Sequence, residues 1–132
     1  MTQEEKETLL KDICPRLPYN LSVEVEGVEA TPLGCNKVIH INTRGNWVYI
    51  SGIPTEIEIE LIKPYLRSIP NLTEEERIQL GRLLGAASYK ILKGDYFYLK
   101  ELLEYVYKNH IDLFGLIPNG LAIEAPKELY KS

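Results

Sequence analysis

The side chains with the richest chemistry in this chain are few and scattered. His110 and Asp112 form an H-x-D pair, and His40, the second of two histidines, follows Cys35 by five residues. A metal centre needs three or four such ligands converging with the right geometry. Here only folding could bring Cys35, His40, His110 and Asp112 together, because no short spacing argues for it. The plainer expectation is that His110 caps carbonyls at the end of a helix, where the dipole favours a cation. Asp112 is expected to cap the turn that follows. Glu56, Glu58 and Glu60 would share one side of a strand, which resembles the paired carboxylates of glycoside hydrolysis. Carboxylates in such a row more commonly form a solvated face that discourages edge pairing. No GxSxG elbow, phosphate-cradling glycine loop or HExxH helix is present, and Ser51 and Ser88 lack a recognisable base. No catalytic, cofactor-binding or metal-binding residue is therefore assigned.

A different constellation lies between Thr73 and Asn109. Gly81, Gly85 and Ser88, with Ala86 and Ala87, make one side of a predicted helix very small. Each glycine costs about 1 kcal/mol relative to alanine in a helix, so two of them call for a reason. Close approach of another backbone is the simplest, with a contact inside the chain favoured over a second copy. The same region concentrates Tyr89, Tyr96, Tyr98, Tyr105 and Tyr107, and Arg77, Arg82, Lys90, Lys93 and Lys100 accompany the single acid Asp95 over residues 77–100. Tyrosines beside cations can stack bases and neutralise phosphates. They also straddle core and solvent, and they favour protein interfaces. Intramolecular packing ranks first here, protein contact second and nucleic acid third. The candidate interaction surface comprises Gly81, Arg82, Gly85, Tyr89, Lys93, Tyr96 and Tyr98.

Two helices must present these residues. Thr73 and Glu76 have capping-box spacing, and Glu74 and Glu75 add negative charge to the first turn. Ile78, Leu80, Leu83, Leu84, Ala87 and Ile91 recur at mostly three- and four-residue steps and define the expected core face. Gly94 suits a left-handed helix end, and Asp95 suits the cap of a second helix. The apolar side of that helix is Phe97, Leu99, Leu102, Leu103 and Val106. So short a connection predicts an antiparallel hairpin.

Upstream, Thr2 and Glu5 begin an amphipathic helix with Leu9, Leu10 and Ile13 buried, ending near Ile13 because Pro15 opposes continuation. Leu21, Val23 and Val25 alternate with Ser22, Glu24 and Glu26 as in a half-exposed strand. Residues 28–33 are a weaker strand candidate interrupted by Pro32. Residues 37–43 and 47–51 flank Arg44, Gly45 and Asn46 as a β-hairpin. Residues 55–61 alternate as a further strand, with helix as the runner-up. Residues 62–72 hold two prolines and read as an ordered linker, and residues 121–125 read as a final strand before Pro126.

The 132 residues fit one domain, with an N-terminal helix and β-rich half over 1–72 and the helical hairpin with a C-terminal turn or strand over 73–132. The fold class is α+β, an N-terminal helix and a small antiparallel sheet followed by a two-helix hairpin packed on the sheet. Net charge is −4, which argues against a generic polyanion binder. Residues 1–60 carry ten acids and five bases, whereas residues 61–132 carry nine and ten. The acidic start lacks the features of a secretory signal, and no apolar run approaches the roughly 20 residues that span a bilayer. The expectation is a cytoplasmic protein without a membrane partner, whose two cysteines, Cys14 and Cys35, are reduced.

At residues 62–76, IKPYLRSIPNLTEEE, and 110–126, HIDLFGLIPNGLAIEAP, the chain resembles small uncharacterised proteins of gut Bacteroides-type bacteria and their prophages. The resemblance implies an origin in a phage or mobile element and carries no activity. The expected function is a non-enzymatic protein-interaction or regulatory accessory domain, acting through a protein partner or self-association. A single-stranded nucleic-acid-binding accessory protein is the alternative, and a metal-dependent hydrolase using His110 and Asp112 is a distant third.

Overall fold

The computed structural model describes residues 1–26, 37–42, 47–51, 53 and 55–130. Helix α1 (Gln3–Ile13) opens with the expected reciprocal cap: the Thr2 hydroxyl accepts from the Glu5 amide, and the Glu5 carboxylate accepts from the Thr2 amide. The α-helix ends at Ile13, as Pro15 leads one to expect. The chain tightens into a 3-10 helix (Cys14–Tyr19) that accommodates both Pro15 and Pro18, and Asn20 then turns it with a left-handed φ of 58°.

Among the described residues, six strands form two three-stranded sheets. In the first, β1 (Val23–Val25) pairs antiparallel with β5 (Ile62–Leu66), and β6 (Ile123–Glu124) adds to β5 in parallel. In the second, β2 (Val38–Asn42), β3 (Trp47–Ile50) and β4 (Ile57–Glu58) pair antiparallel, with an irregular register between Val38 and His40. The strand candidate at 28–33, the hairpin loop at 44–46 and Cys35 lie outside the described residues.

Two expectations are corrected in this half. Residues 55–61 alternate like one strand, yet only Ile57 and Glu58 pair, and Ile59–Leu61 coils as a 3-10 helix that buries Ile59. Residues 62–66 are not linker: they form the central strand of the first sheet despite Pro64. The pairing explains how. Leu61 accepts from the Glu26 amide and Tyr65 donates to the Ser22 carbonyl, so alternate residues face β1 and Pro64 faces away. On that other side β6 reaches only Tyr65 and Leu66, so the missing proline N–H interrupts no bond.

Helix α2 (Glu74–Ile91) carries the Thr73–Glu76 capping box, and α3 (Phe97–Lys108) packs along it. Asp95 accepts from the Phe97 amide at 3.0 Å, so it caps α3 from just ahead of its first turn. Among the described residues, the buried apolar side chains form two clusters. One joins α1, both sheets and the returning segment Leu116, Leu121 and Ala122. The other belongs to the hairpin, with Leu72, Leu80, Ala87, Leu102, Val106 and Ile111 at its centre.

Polar groups tie the clusters together at residues 110–112. The His110 carbonyl accepts from the Arg67 amide at 2.8 Å, and the Asp112 amide donates back to the Arg67 carbonyl at 2.9 Å. Arg67 also grips Glu76 with both guanidinium nitrogens, at 2.7 and 2.6 Å, fastening the start of α2 to the end of β5. Arg16, fully buried, holds Asp12 in the same two-pronged way at 3.1 Å each and donates to the Ile111 carbonyl. Burial lifts the Asp12 carboxyl above the ordinary value against the pull of Arg16, and nearby Asp112 adds to the lift.

Candidate functional site

Three helical turns of this chain close in the same way, and one of them breaks a local rule. After α2, the Asp95 amide reaches the Lys90 carbonyl and the Gly94 amide reaches Ile91, with Gly94 at φ 78°. The same pair of bonds recurs at Leu121 to Leu116 and Gly120 to Ile117, with Gly120 at φ 76°. After α3, Ile111 bonds Val106 and His110 bonds Tyr107, but the left-handed residue is His110, at φ 53°. This is the Schellman closure, in which glycine is the usual left-handed residue because a Cβ there is strained by about 1–2 kcal/mol. Among the described residues the other non-glycine with positive φ is Asn20. Both line one polar pocket of about 240 Å³, where the end of the first 3-10 helix meets the end of α3 and the C-terminal turn.

His110 has 2% of its surface exposed. Its Nε2 lies 2.8 Å from the Tyr19 carbonyl oxygen, an acceptor, so Nε2 carries the proton and Nδ1 of the neutral ring is an acceptor. Nδ1 is buried with no hydrogen-bond partner among the described residues. Burial pushes the imidazole down to about 4, and the Arg16 and Arg67 cations add to that effect against the Tyr19 bond. The ring stacks on Tyr130, centroids 4.1 Å apart and planes 28° from parallel. The Tyr130 hydroxyl accepts from the Ser22 amide at 3.1 Å and donates to the Tyr65 carbonyl at 2.7 Å. Burial of this phenol raises it to about 12. Lys37, Arg67 and Lys108 also line the pocket, whereas no carboxylate does among the described lining residues. Arg67 is paired with Glu76, whereas Lys37 and Lys108 are exposed. The Arg67 bonds hold Glu76 down at about 2.

The expected interaction surface is arranged differently from its sequence reading. Gly81 and Gly85 are exposed, and a Cβ built on either meets nothing within 4 Å. The favoured intramolecular contact is therefore absent among the described residues. The core stripe of α2 is correspondingly narrower than expected: Leu80 and Ala87 are buried, whereas Ile78 is 57% exposed and Leu84 also faces out. Tyr89, Leu92, Tyr96 and Phe97 are exposed at the hairpin's tip, Leu92 to 87%. Lys93 sits over the Tyr89 ring at 4.4 Å and donates to its hydroxyl at 2.7 Å. Arg82 is exposed, but Tyr98 packs against the hairpin core with Tyr105 and Tyr107. Tyr96, Leu99, Leu103 and Tyr107 also line an apolar groove of about 450 Å³ together with Pro15 and Tyr19.

Among the described residues, no three His, Cys, Asp or Glu side chains are placed to share a metal. His40 is exposed beside Tyr49 on the second sheet. Asp112 caps the next turn as expected, accepting from the Leu116 and Ile117 amides at 2.8 and 2.9 Å. His110 does not cap α3; it forms the left-handed residue of the closure itself and bonds the first 3-10 helix. Glu56 accepts from the Tyr49 hydroxyl, and Glu60 pairs with Lys6 at 3.5 Å. No described helix is long and apolar enough to cross a membrane.

Sequence reasoning missed Arg16, Asn20, Lys37 and Tyr130. The four-residue step from Asp12 to Arg16 was a usable signal for a helical ion pair. Nothing local marked the rest. No family model, no curated protein and no solved structure matches this chain.

Proposed function

We propose that this chain is a non-enzymatic protein-contact domain that pairs with a second copy of itself through the outer face of α2. The resemblance noted in the sequence implies an origin in a phage or mobile element, where such a domain would act as a small accessory or regulatory factor. The observation that carries the reading is the open space at Gly81 and Gly85. Ile78, Gly81, Gly85, Ser88 and Leu92 follow one another at alternating three- and four-residue steps, the spacing of a helix-pairing seam. Small residues in the middle of that seam let two backbones approach closely, and Ile78, Tyr89 and Leu92 supply apolar contact on either side.

Charge selects the antiparallel arrangement. Glu74 and Glu75 occupy the first turn of α2, Lys90 lies in its last turn, and Lys93 follows it. A two-fold pairing centred between Gly81 and Gly85 sets each acidic end against the basic end of the other copy, and it opposes the helix dipoles.

Gly85→Leu tests this directly. A Cβ at this exposed position meets nothing within 4 Å, and the change removes a helical glycine, so the fold is expected to gain up to about 1 kcal/mol. Light scattering should report a dimer for the natural chain and a folded monomer for the variant. A natural chain that stays monomeric at high concentration, or a variant that still dimerises, overturns the reading.

A further inference from the structure

We propose that residues 126–130 form an acid-released strap, latched by the Tyr130 side chain and trapped in an open position when Nδ1 of His110 takes up a proton. Three features carry this. Among the described residues, the hydrogen bonds and the ring contact that tie residues 126–130 to the rest of the protein all run through Tyr130. Its hydroxyl bonds the Ser22 main chain and the Tyr65 carbonyl, and its ring lies on His110. The Leu129 amide turns back to the Pro126 carbonyl inside the segment. The anchor just before it is the Ala125 amide on the Leu66 carbonyl at 2.7 Å. Swinging out from that point leaves the pairing of β5 with β1 and β6 in place.

The second feature is the ring beneath the latch. Nε2 already donates to the Tyr19 carbonyl, and Nδ1 is buried with no partner among the described residues. A proton on Nδ1 in the closed protein would be a buried cationic N–H without an acceptor, which burial strongly opposes. The third feature is the surrounding charge. Arg16 and Arg67 both oppose a cation on this ring, and Lys37 and Lys108 line the adjoining pocket with no carboxylate among its described lining residues. Asp12 and Glu76 are paired with the two arginines, and Asp112 is bound to the Leu116 and Ile117 amides. The closed protein therefore refuses the proton. Lifting Tyr130 uncovers the ring face on which it stacks, and a proton taken from water then holds the strap off. With the ring at about 4 when closed and an ordinary 6.5 when open, the opening equilibrium is independent of pH above 6.5. It rises by up to about 300-fold as pH falls from 6.5 to 4.

Hydrogen exchange followed by NMR on the whole chain tests this, with each rate corrected for the intrinsic exchange of its amide. The Ser22 amide donates to the Tyr130 hydroxyl and reports the strap, and the Leu80 amide, inside α2, reports opening of the whole fold. Ser22 protection should fall by up to about 300-fold between pH 6.5 and 4. Low urea should lower Leu80 protection and leave Ser22 unchanged, because freeing a short segment exposes little surface. His110→Asn keeps a residue that tolerates the left-handed backbone, and the pH response of Ser22 should vanish in it. Ser22 protection that equals that of Leu80 and falls with urea in the same way means that the segment leaves only with the whole fold, and it overturns the proposal. Ser22 protection that stays flat from pH 6.5 to 4 in the natural chain, or that keeps its pH response in His110→Asn, does so as well.

Discussion

Arg16 Nη2 donates to the Ile111 carbonyl oxygen at 2.8 Å, across 95 positions of sequence. Its Nη1 lies 3.5 Å from the Val106 carbonyl, near the end of α3, and its guanidinium stands 5.2 Å from the Tyr107 ring centroid. One side chain therefore joins the N-terminal helix to the C-terminal end of the hairpin, and Asp12 balances its charge inside the protein.

Arg16→Met should destabilise the fold by about 3–5 kcal/mol, because it leaves the Asp12 carboxylate buried without its partner and the Ile111 carbonyl without the Arg16 donor. Adding Asp12→Leu should recover part of that loss, since a buried pair replaced by apolar groups is often close to neutral. Urea denaturation of the three proteins measures both steps. A single variant that loses less than the double variant would show that the pair is not the joint described.

Acid should weaken the protein in two stages. His110 is held at about 4 against an ordinary 6.5, so the unfolded chain takes up a proton first as pH falls. Its contribution, of order 3 kcal/mol, is complete above pH 6.5 and is lost between 6.5 and 4. Glu76, held at about 2 by Arg67, contributes above pH 4.5 and loses its contribution between 4.5 and 2. Urea midpoints taken from pH 7.5 to 3 should fall throughout. In His110→Asn the decline above pH 4.5 should flatten, and the lower stage should survive.

Alkali acts through Tyr130. Its hydroxyl donates to the Tyr65 carbonyl, and burial raises the phenol to about 12. The unfolded chain releases that proton near 10, so stability present below pH 10 drains away between 10 and 12. Tyr130→Phe should be less stable at neutral pH by about 1 kcal/mol, the worth of a typical hydrogen bond, and should lose less from pH 9 to 11. Thermal melts across that range decide it.

Two glycines in the hairpin should respond oppositely to the same change. Gly85→Ala places a methyl group in open space within the chain and should stabilise the monomer by up to about 1 kcal/mol. Gly94→Ala must adopt φ near +78° and should cost about 1 kcal/mol. Melting both at dilutions where the chain is monomeric separates backbone from interface effects.

Much of this architecture is written locally. Both capping boxes, at Thr2 with Glu5 and Thr73 with Glu76, form as their spacing predicts, because each is complete within four residues. Val23 and Val25 bury while Glu24 does not, and residues on either side of the central hairpin pair as their alternation implies. The same local patterns misled at residues 55–61 and 62–66. Alternation ended after two paired residues in the first stretch, and in the second Pro64 hid a strand whose partners lie about 40 residues upstream and 60 downstream.

The pocket was beyond such reading. His110 drew attention for its chemistry, but its strain, its orphaned nitrogen and its stacking on Tyr130 depend on where Tyr19 and the C-terminal turn arrive. Likewise, the sequence determined that one side of α2 is small, and only packing decided that this side faces out. Caps, turns and periodicity act over a few residues and survive as patterns in the chain. Burial of Arg16, exposure of Gly81 and Gly85 and convergence on His110 are set by contacts between distant segments, which no short window contains.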